Sequence, residues 1–267
     1  MALVHRAVAR NDATESENRI HADDVARAHG FRGGLVPGVV TWGHVADSVI
    51  EALGPSWLQD GAMALRLTAP VYEGDELEVR VAPQDGAVDR VTILATTAAG
   101  TVADGHAALL PPGSGAAAGA TGDPDRTGQP DGGPDSGPDG GRATALPRSP
   151  EERPMASPET LAAGTVLAPW RVTAASGHPG WLLRQANSIP IANRRLGPWM
   201  HVASDVRHLG LVRDGDELEV RGRVAGERER NGRRFVELDL RYVVGARPVW
   251  LVRHTAIYDL GPGATAS

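Results

Sequence analysis

Between Glu15 and Gly38 the chain reads Glu15-Ser16-Glu17-Asn18-Arg19-Ile20-His21, an eight-residue stretch from Ala22 to His29, Gly30-Phe31-Arg32-Gly33, and Gly34-Leu35-Val36-Pro37-Gly38. His21 is the kind of side chain that exchanges protons near neutral pH, with an unperturbed pKa of about 6.5. Taken singly, Asn18 reads as a turn residue or the cap of a short helix over 22–29, and His21 as a loop histidine bonded to backbone. Together, ahead of Gly-Phe-Arg-Gly and of a glycine that opens an apolar helix, they read as a ligand site. Asp23 and Asp24 suit the positive end of the short helix, and His29 its C-terminal end. A second group, His44, Asp47 and Ser48, lies three or four residues apart on the long helix. Residues at that spacing share one face, and polar groups there are costly to bury without partners. They face either a cavity, as a binding or water-activating group, or solvent.

Several chemistries lack their side chain altogether. All 27 basic residues are Arg, none is Lys, and there is no Cys. Schiff-base amines, a phosphate-loop lysine, thiolate nucleophiles, Cys-ligated metals and disulfides are therefore excluded. His106, His178, His201, His208 and His254 fall at no spacing typical of a metal site, so no metal is expected. A net charge of -6, with Arg dispersed among Asp and Glu, offers no basic stripe for nucleic acid. No apolar run approaches the roughly 18 residues of a membrane span. Met1 to Arg10 is too short and too charged for a signal peptide, so a cytoplasmic location is expected.

The site must be positioned by a fold that occurs twice. Residues 111–158 are dominated by Gly, Pro, Asp, Ser and Ala and read as a flexible linker, since they hold too few apolar side chains to offset the entropy of ordering. On either side lie segments 1–110 and 159–267, and these repeat one another. Gly74-Asp75-Glu76-Leu77-Glu78-Val79-Arg80 returns as Gly215-Asp216-Glu217-Leu218-Glu219-Val220-Arg221, and Leu53-Gly54-Pro55-Ser56-Trp57 as Leu196-Gly197-Pro198-Trp199. Each repeat is followed by a hairpin turn signal, Asp85-Gly86 or Asn231-Gly232, and by an alternating strand, Val91 to Thr96 or Phe235 to Leu240. Further strands are expected over Leu3 to Ala9, Gly105 to Leu110, Val166 to Ala174 and Val249 to Tyr258. Val39 to Leu53 is apolar nearly all round and stops at Gly54-Pro55, which predicts a buried helix. Its counterpart, Trp181 to Leu196, contains Pro190, which predicts a kink or a later start. The order of strand, long helix and several antiparallel strands, met twice, predicts two sheets, each wrapped around a central helix, packed as an internal pseudo-dimer.

The segment from residue 16 to 54 resembles the overhanging loop and central helix of the MaoC-like, or hydratase-2, group of hotdog-fold enzymes. Their pattern is Asp-x-Asn-Pro-x-His, a short helix, Gly-Phe-x-Gly, and a Gly opening the helix. Asn18, His21, Gly30-Phe31-Arg32-Gly33 and Gly38 match in order and spacing. Ser16 stands at the family's catalytic Asp, Arg19 at its Pro, and Pro37 at its usual His. The second half lacks an Asn-x-x-His loop. The resemblance thus implies an α+β double hotdog with one active site, built by the first half and walled by the second.

What the resemblance implies chemically is reversible addition of water to a 2-enoyl thioester carried by coenzyme A or an acyl carrier protein, with no resident cofactor. His21 would act as base, Asn18 would orient substrate or water, and Gly38 would present a helix-start N–H to the thioester oxygen. With Ser16 in place of Asp, the acid would be Glu17 or Glu15, displaced by one residue, or the step would be an easier one of the same enolate type. Arg32, Gly33, His44 and Asp47 are the further substrate-binding candidates. Arg184, Arg194 and Arg195 would meet a carrier phosphate or form a solvated face. Two alternatives stay open: an acyl-thioesterase in which Asp47, with His44, activates water, and a non-catalytic acyl-binding or partner subunit. Two hotdogs in one chain already satisfy the usual pairing, so a monomer and a homodimer are both consistent with the sequence.

Overall fold

A computed structural model describes residues 2–112, 161–194 and 196–261. Beyond its first two residues, the linker read from composition lies outside the described residues, as does Arg195. The first half runs β1 (Leu3–Val8), a 3-10 turn (Arg19–His21), α1 (Asp23–Ala28), α2 (Gly38–Leu53), α3 (Trp57–Asp60), β2 (Gly61–Leu67), β3 (Glu76–Pro83), β4 (Arg90–Thr97) and β5 (Gly100–Leu109). The second runs β6 (Val166–Thr173), α4 (Pro179–Asn193), β7 (Met200–His208), β8 (Glu217–Arg230), β9 (Arg233–Val244) and β10 (Arg247–Asp259). Strict alternation buries Leu77, Val79 and Val81 of β3 and Val91, Ile93 and Ala95 of β4 on one face. Val39, Trp42, Val45, Ala46 and Val49 of α2 recur every three or four residues and pack into the same core.

All neighbouring strands are antiparallel, in the order β1-β3-β4-β5-β2-β7-β10-β9-β8-β6. The second half of that order mirrors the first about the junction of β2 and β7, paired from Ala62 with Arg207 to Arg66 with Ala203. The architecture is therefore a double hotdog. Its two halves form the expected internal pseudo-dimer and join edge to edge into one ten-stranded sheet. Joining gives the backbone groups of two otherwise open strand edges their partners.

The repeated Gly-Asp is a turn that clamps the first strand of each half to its third. Tyr72 N–H donates to Asp75 Oδ2 at 3.0 Å, and Arg213 N–H to Asp216 Oδ2 at 2.8 Å. Gly74 N–H reaches Ala9 O at 3.0 Å, and Gly215 N–H reaches Ala174 O at 2.7 Å. Gly74 and Gly215 have φ of +81° and +87°, where a side chain would be strained. One local geometry thus explains why the same residues recur in both halves. The Asn231-Gly232 turn joins β8 to β9 with both residues at positive φ, as such hairpins require.

Helix α4 corrects the expectation for Pro190. It begins at Pro179, before the expected start, and runs through Pro190 to Asn193. Proline at the first helical position sacrifices no bond, and Pro190 sits in the last turn, where only one helical bond is lost. His178 caps the start, its Nδ1 accepting Gly180 N–H at 3.1 Å.

Candidate active site

The loop between β1 and α2 is fixed by a small apolar cluster of its own. Ile20, Ala26 and Leu35 are buried with Ile257 of β10 and Leu260, and Phe31, Met200 and Val202 pack around them. Ile20 is fully buried between two polar neighbours, so burying it sets where Asn18 and His21 stand. Leu35 N–H donates to Ile20 O at 3.2 Å, and Asn11 Nδ2 donates to His21 O at 2.9 Å.

The hydrogen bonds fix the tautomer of His21. Leu35 O, which only accepts, lies 2.7 Å from His21 Nδ1, so Nδ1 carries the proton. The Nε2 lone pair accepts from Asn18 Nδ2 at 3.1 Å. Asn18 Nδ2 also donates to Trp199 O at 2.8 Å, while Asn18 Oδ1 accepts Trp199 N–H at 2.9 Å. Asn18 therefore ties the loop to the second half and does not cap α1, whose N-cap is Ala22. Burial pushes the His21 pKa below its ordinary 6.5, opposed by the Leu35 carbonyl, so the ring is neutral at neutral pH. Asn18→Ala would strand two backbone groups of Trp199 and is expected to cost about 1–3 kcal/mol. Chemical denaturation checks this; an unchanged midpoint would mean that the Asn18 bridge contributes nothing.

Asn18 and His21 line a cavity of about 210 Å³ with Gly38 and Thr41 of α2, Leu67 at the end of β2 and the residues 68–71 that follow it, Asn187 of α4, and Trp199 with the first residues of β7, Met200 to Val202. Arg233, at the start of β9, is the one charged side chain among the lining residues. Gly38 is required sterically. A Cβ there would fall 2.5 Å from Leu67 Cδ1 and 3.0 Å from His201 Nδ1. Helix α2 has no side-chain cap; Val40 N–H turns back to Pro37 O at 2.9 Å, while the amide of Gly38 has no side chain capping it.

Of the catalytic and binding candidates read from the sequence, the cavity brings together Asn18, His21 and Gly38, with Phe31 and Pro37 of the same motif beside them. Ser16 is half-buried, and its Oγ donates to Asn18 O at 3.1 Å outside the cavity. Glu15 and Glu17 are exposed, and Glu17 borders a different groove with Arg194. Arg32 lies 4.0 Å over the Tyr72 ring and pairs with Asp75, and Gly33 sits against the Asp23 carboxylate. His44 and Asp47 do not line the cavity either: Asp47 Oδ1 accepts His178 Nε2–H at 2.8 Å, and His44 stacks on His5. Only the first turn of α2 reaches the cavity, and Asp47 stands nine residues on, about 14 Å along the axis. Arg184 is paired with Asp12 at 2.6 Å.

Sequence reasoning missed the wall supplied by the second half: Asn187, Trp199 and His201. The repeated Trp was a partial signal, since both copies are fully buried just before β2 and β7. His201 carried none. Among the described residues no group of three or more His, Asp or Glu could hold a metal, and no helix is long and apolar enough to cross a membrane.

The fold and site define a double-hotdog protein with a cavity walled by both halves. Over 97% of its length the chain is similar to a Chloroflexus aurantiacus protein named as a MaoC-domain dehydratase, with 13% identity, 95% of that chain covered and a TM-score of 0.55. A Mycobacterium tuberculosis protein described as essential for bacterial survival during infection, and as a double hotdog, matches over 96% of both chains with 16% identity and a TM-score of 0.53. An acyl-CoA thioesterase II of Mycobacterium marinum matches 88% of this chain and 93% of its own, with 12% identity and a TM-score of 0.50. At these identities the likeness is one of fold. No protein-family model and no curated protein matches the sequence.

Proposed function

We propose that the protein is a MaoC-like acyl-thioester hydratase or dehydratase in which His21 is the general base. The observation that carries this reading is the neutral His21 ring, oriented by Leu35 O, in the wall of a mainly apolar cavity that also contains the start of α2. In hydration, one proton of water passes to His21 Nε2 as the oxygen bonds to C3. The C2=C3 electron pair moves onto C2, which then takes the proton from His21. Negative charge gathers on the thioester oxygen meanwhile, and the uncapped amides of α2 at Gly38 are suited to stabilise it. The Nε2 lone pair is the one Asn18 now engages, at 3.1 Å and so in a longer bond than either of its two to Trp199, and an entering water takes it over.

The cavity is smaller than the roughly 300–1,000 Å³ of ordinary ligand pockets, which suits a short acyl group. Arg233 is the side chain placed to meet a phosphate of coenzyme A or of a carrier protein's prosthetic arm, and the reaction needs no resident cofactor. Thioester hydrolysis through Asp47 has weaker support, because that carboxylate is half-exposed and held by His178 outside the cavity. The test is Asp47→Asn, assayed with crotonyl-CoA for loss of the enoyl group and for free thiol. Enoyl turnover within about twofold of the unchanged protein is expected, since surface changes away from a site have small effects. Thiol release that disappears in this variant would replace the hydratase reading with the thioesterase one.

A further inference from the structure

The side-chain amide of Asn187, on α4, is oriented by its neighbours. Trp199 Nε1, which can only donate, lies 2.8 Å from Asn187 Oδ1, so the oxygen of the amide and not its nitrogen faces the indole. The same oxygen lies 3.1 Å from His254 Nε2, which must carry a proton there, and His254 Nδ1 lies 2.8 Å from Ser204 Oγ. Both lone pairs of Oδ1 are thus taken by N–H donors, which polarise the amide and strengthen its own N–H groups as donors. What Asn187 has left is Nδ2, with hydrogens to give and no lone pair to receive with.

Among the described residues Nδ2 has no hydrogen-bond partner, and it is not one of the polar atoms sealed from water. The cavity is where it opens, since Asn187 lines the same space as His21. Helix α4 turns that face toward the His21 loop. Arg184, Asn187, Ile191 and Arg194 follow at spacings of three, four and three, which is one side of a helix. At one end of this face Arg184 pairs with Asp12 at 2.6 Å, and its charge bears on His21. At the other, Ile191 and Arg194 border a groove with Glu17 and Asn18. Asn187 stands between them. We infer that Asn187 Nδ2 is a hydrogen-bond donor of the active site, supplied by the second half of the chain and binding an oxygen of the acyl thioester. The inference rests on the acyl-thioester reading of the cavity. It adds a side-chain donor to the backbone N–H of Gly38 and requires a ligand that presents an acceptor oxygen to this wall, either the thioester carbonyl or an oxygen at C3. Asn187 transfers no proton; the proton still moves through His21. Trp199 and His254 are positioning residues that hold the amide in this orientation.

The test is 1H–15N correlation on the full chain labelled with 15N-asparagine and 15N-histidine, with the Asn187 amide assigned by its loss in Asn187→Asp or by its contacts to the Trp199 indole. Butyryl-CoA offers the thioester oxygen, and 3-hydroxybutyryl-CoA offers a C3 hydroxyl as well. A downfield shift of one Asn187 amide proton is expected: with both ligands if the thioester oxygen accepts, with the hydroxy ligand alone if the C3 oxygen does. A His21 ring that responds to ligand while the Asn187 amide stays in place would overturn the inference and leave the thioester reading standing. Silence at both residues would remove the thioester reading and the inference with it. Asn187→Asp separates the donor from the structural role of the oxygen, because a carboxylate oxygen still accepts from Trp199 and His254 but has no hydrogen to give. The variant should stay folded and lower kcat/KM for crotonyl-CoA hydration by about 10- to 10²-fold. Full turnover in the folded variant would mean that the amide serves only the wall, and would overturn the inference too.

Discussion

His21→Ala is expected to lower kcat for hydration of crotonyl-CoA by about 10²- to 10⁴-fold, the usual contribution of a positioned acid or base. The fold should survive the change. His21 is not part of either main apolar cluster, and its main bond is to Leu35 O, whose loss costs about 1–3 kcal/mol. Asn18 keeps both of its bonds to Trp199, so the loop stays tied to the second half. Steady-state kinetics alongside a thermal melt separates the two effects. A variant that melts within a few degrees of the original and turns over at the original rate would remove His21 from the chemistry.

Acid will destabilise this protein before its carboxylates titrate. His201 and His208 are buried, and burial holds each near 4 in the folded chain. His208 donates Nδ1–H to Leu58 O at 2.9 Å and lies between the rings of Trp57 and Trp250, with nothing to satisfy a second proton. In the unfolded chain both return to about 6.5. The folded state thus binds fewer protons, and stability is highest above pH 6.5 and falls as pH drops toward 4. At about 1.4 kcal/mol per pKa unit, the pair loses roughly 4 kcal/mol by pH 5. For a chain of this size that is a fall in Tm of about 10 °C. His254, held well below 6.5 by burial and by the neighbouring His201, adds in the same direction. Melts by circular dichroism between pH 7 and 5 measure the slope. A flat Tm over that interval would mean that these rings are solvated or charged in the folded state.

What the sequence made legible was whatever is encoded locally. The Gly74-Asp75 and Gly215-Asp216 repeats were readable because each specifies a turn within a few residues, and α2 because its apolar run ends at Gly54-Pro55. Joining β2 to β7 was not readable, since edge pairing depends on which strands are left open once both halves have folded. The same division runs through the site. Asn18, His21 and Gly38 lie within one segment, and the cavity holds all three. Asn187 and His201 come from a distant part of the chain, and their isolated polarity announces no partner. Asp47 and His44 correctly shared a helix face, but α2 is apolar nearly all round, so periodicity could not tell which direction the cavity lay. The later start suggested by Pro190 likewise did not hold, because a single lost bond in a last turn is tolerated in a packed helix.

On the function proposed, this double hotdog adds water to an enoyl thioester and leaves the thioester intact. The direct measurement is a pair of progress curves on the unchanged protein with crotonyl-CoA, one following the enoyl absorbance and the other free thiol. Loss of enoyl absorbance is expected with no thiol released and 3-hydroxybutyryl-CoA as product. Thiol appearing in step with substrate loss, or a folded protein that leaves the enoyl thioester untouched, would contradict it.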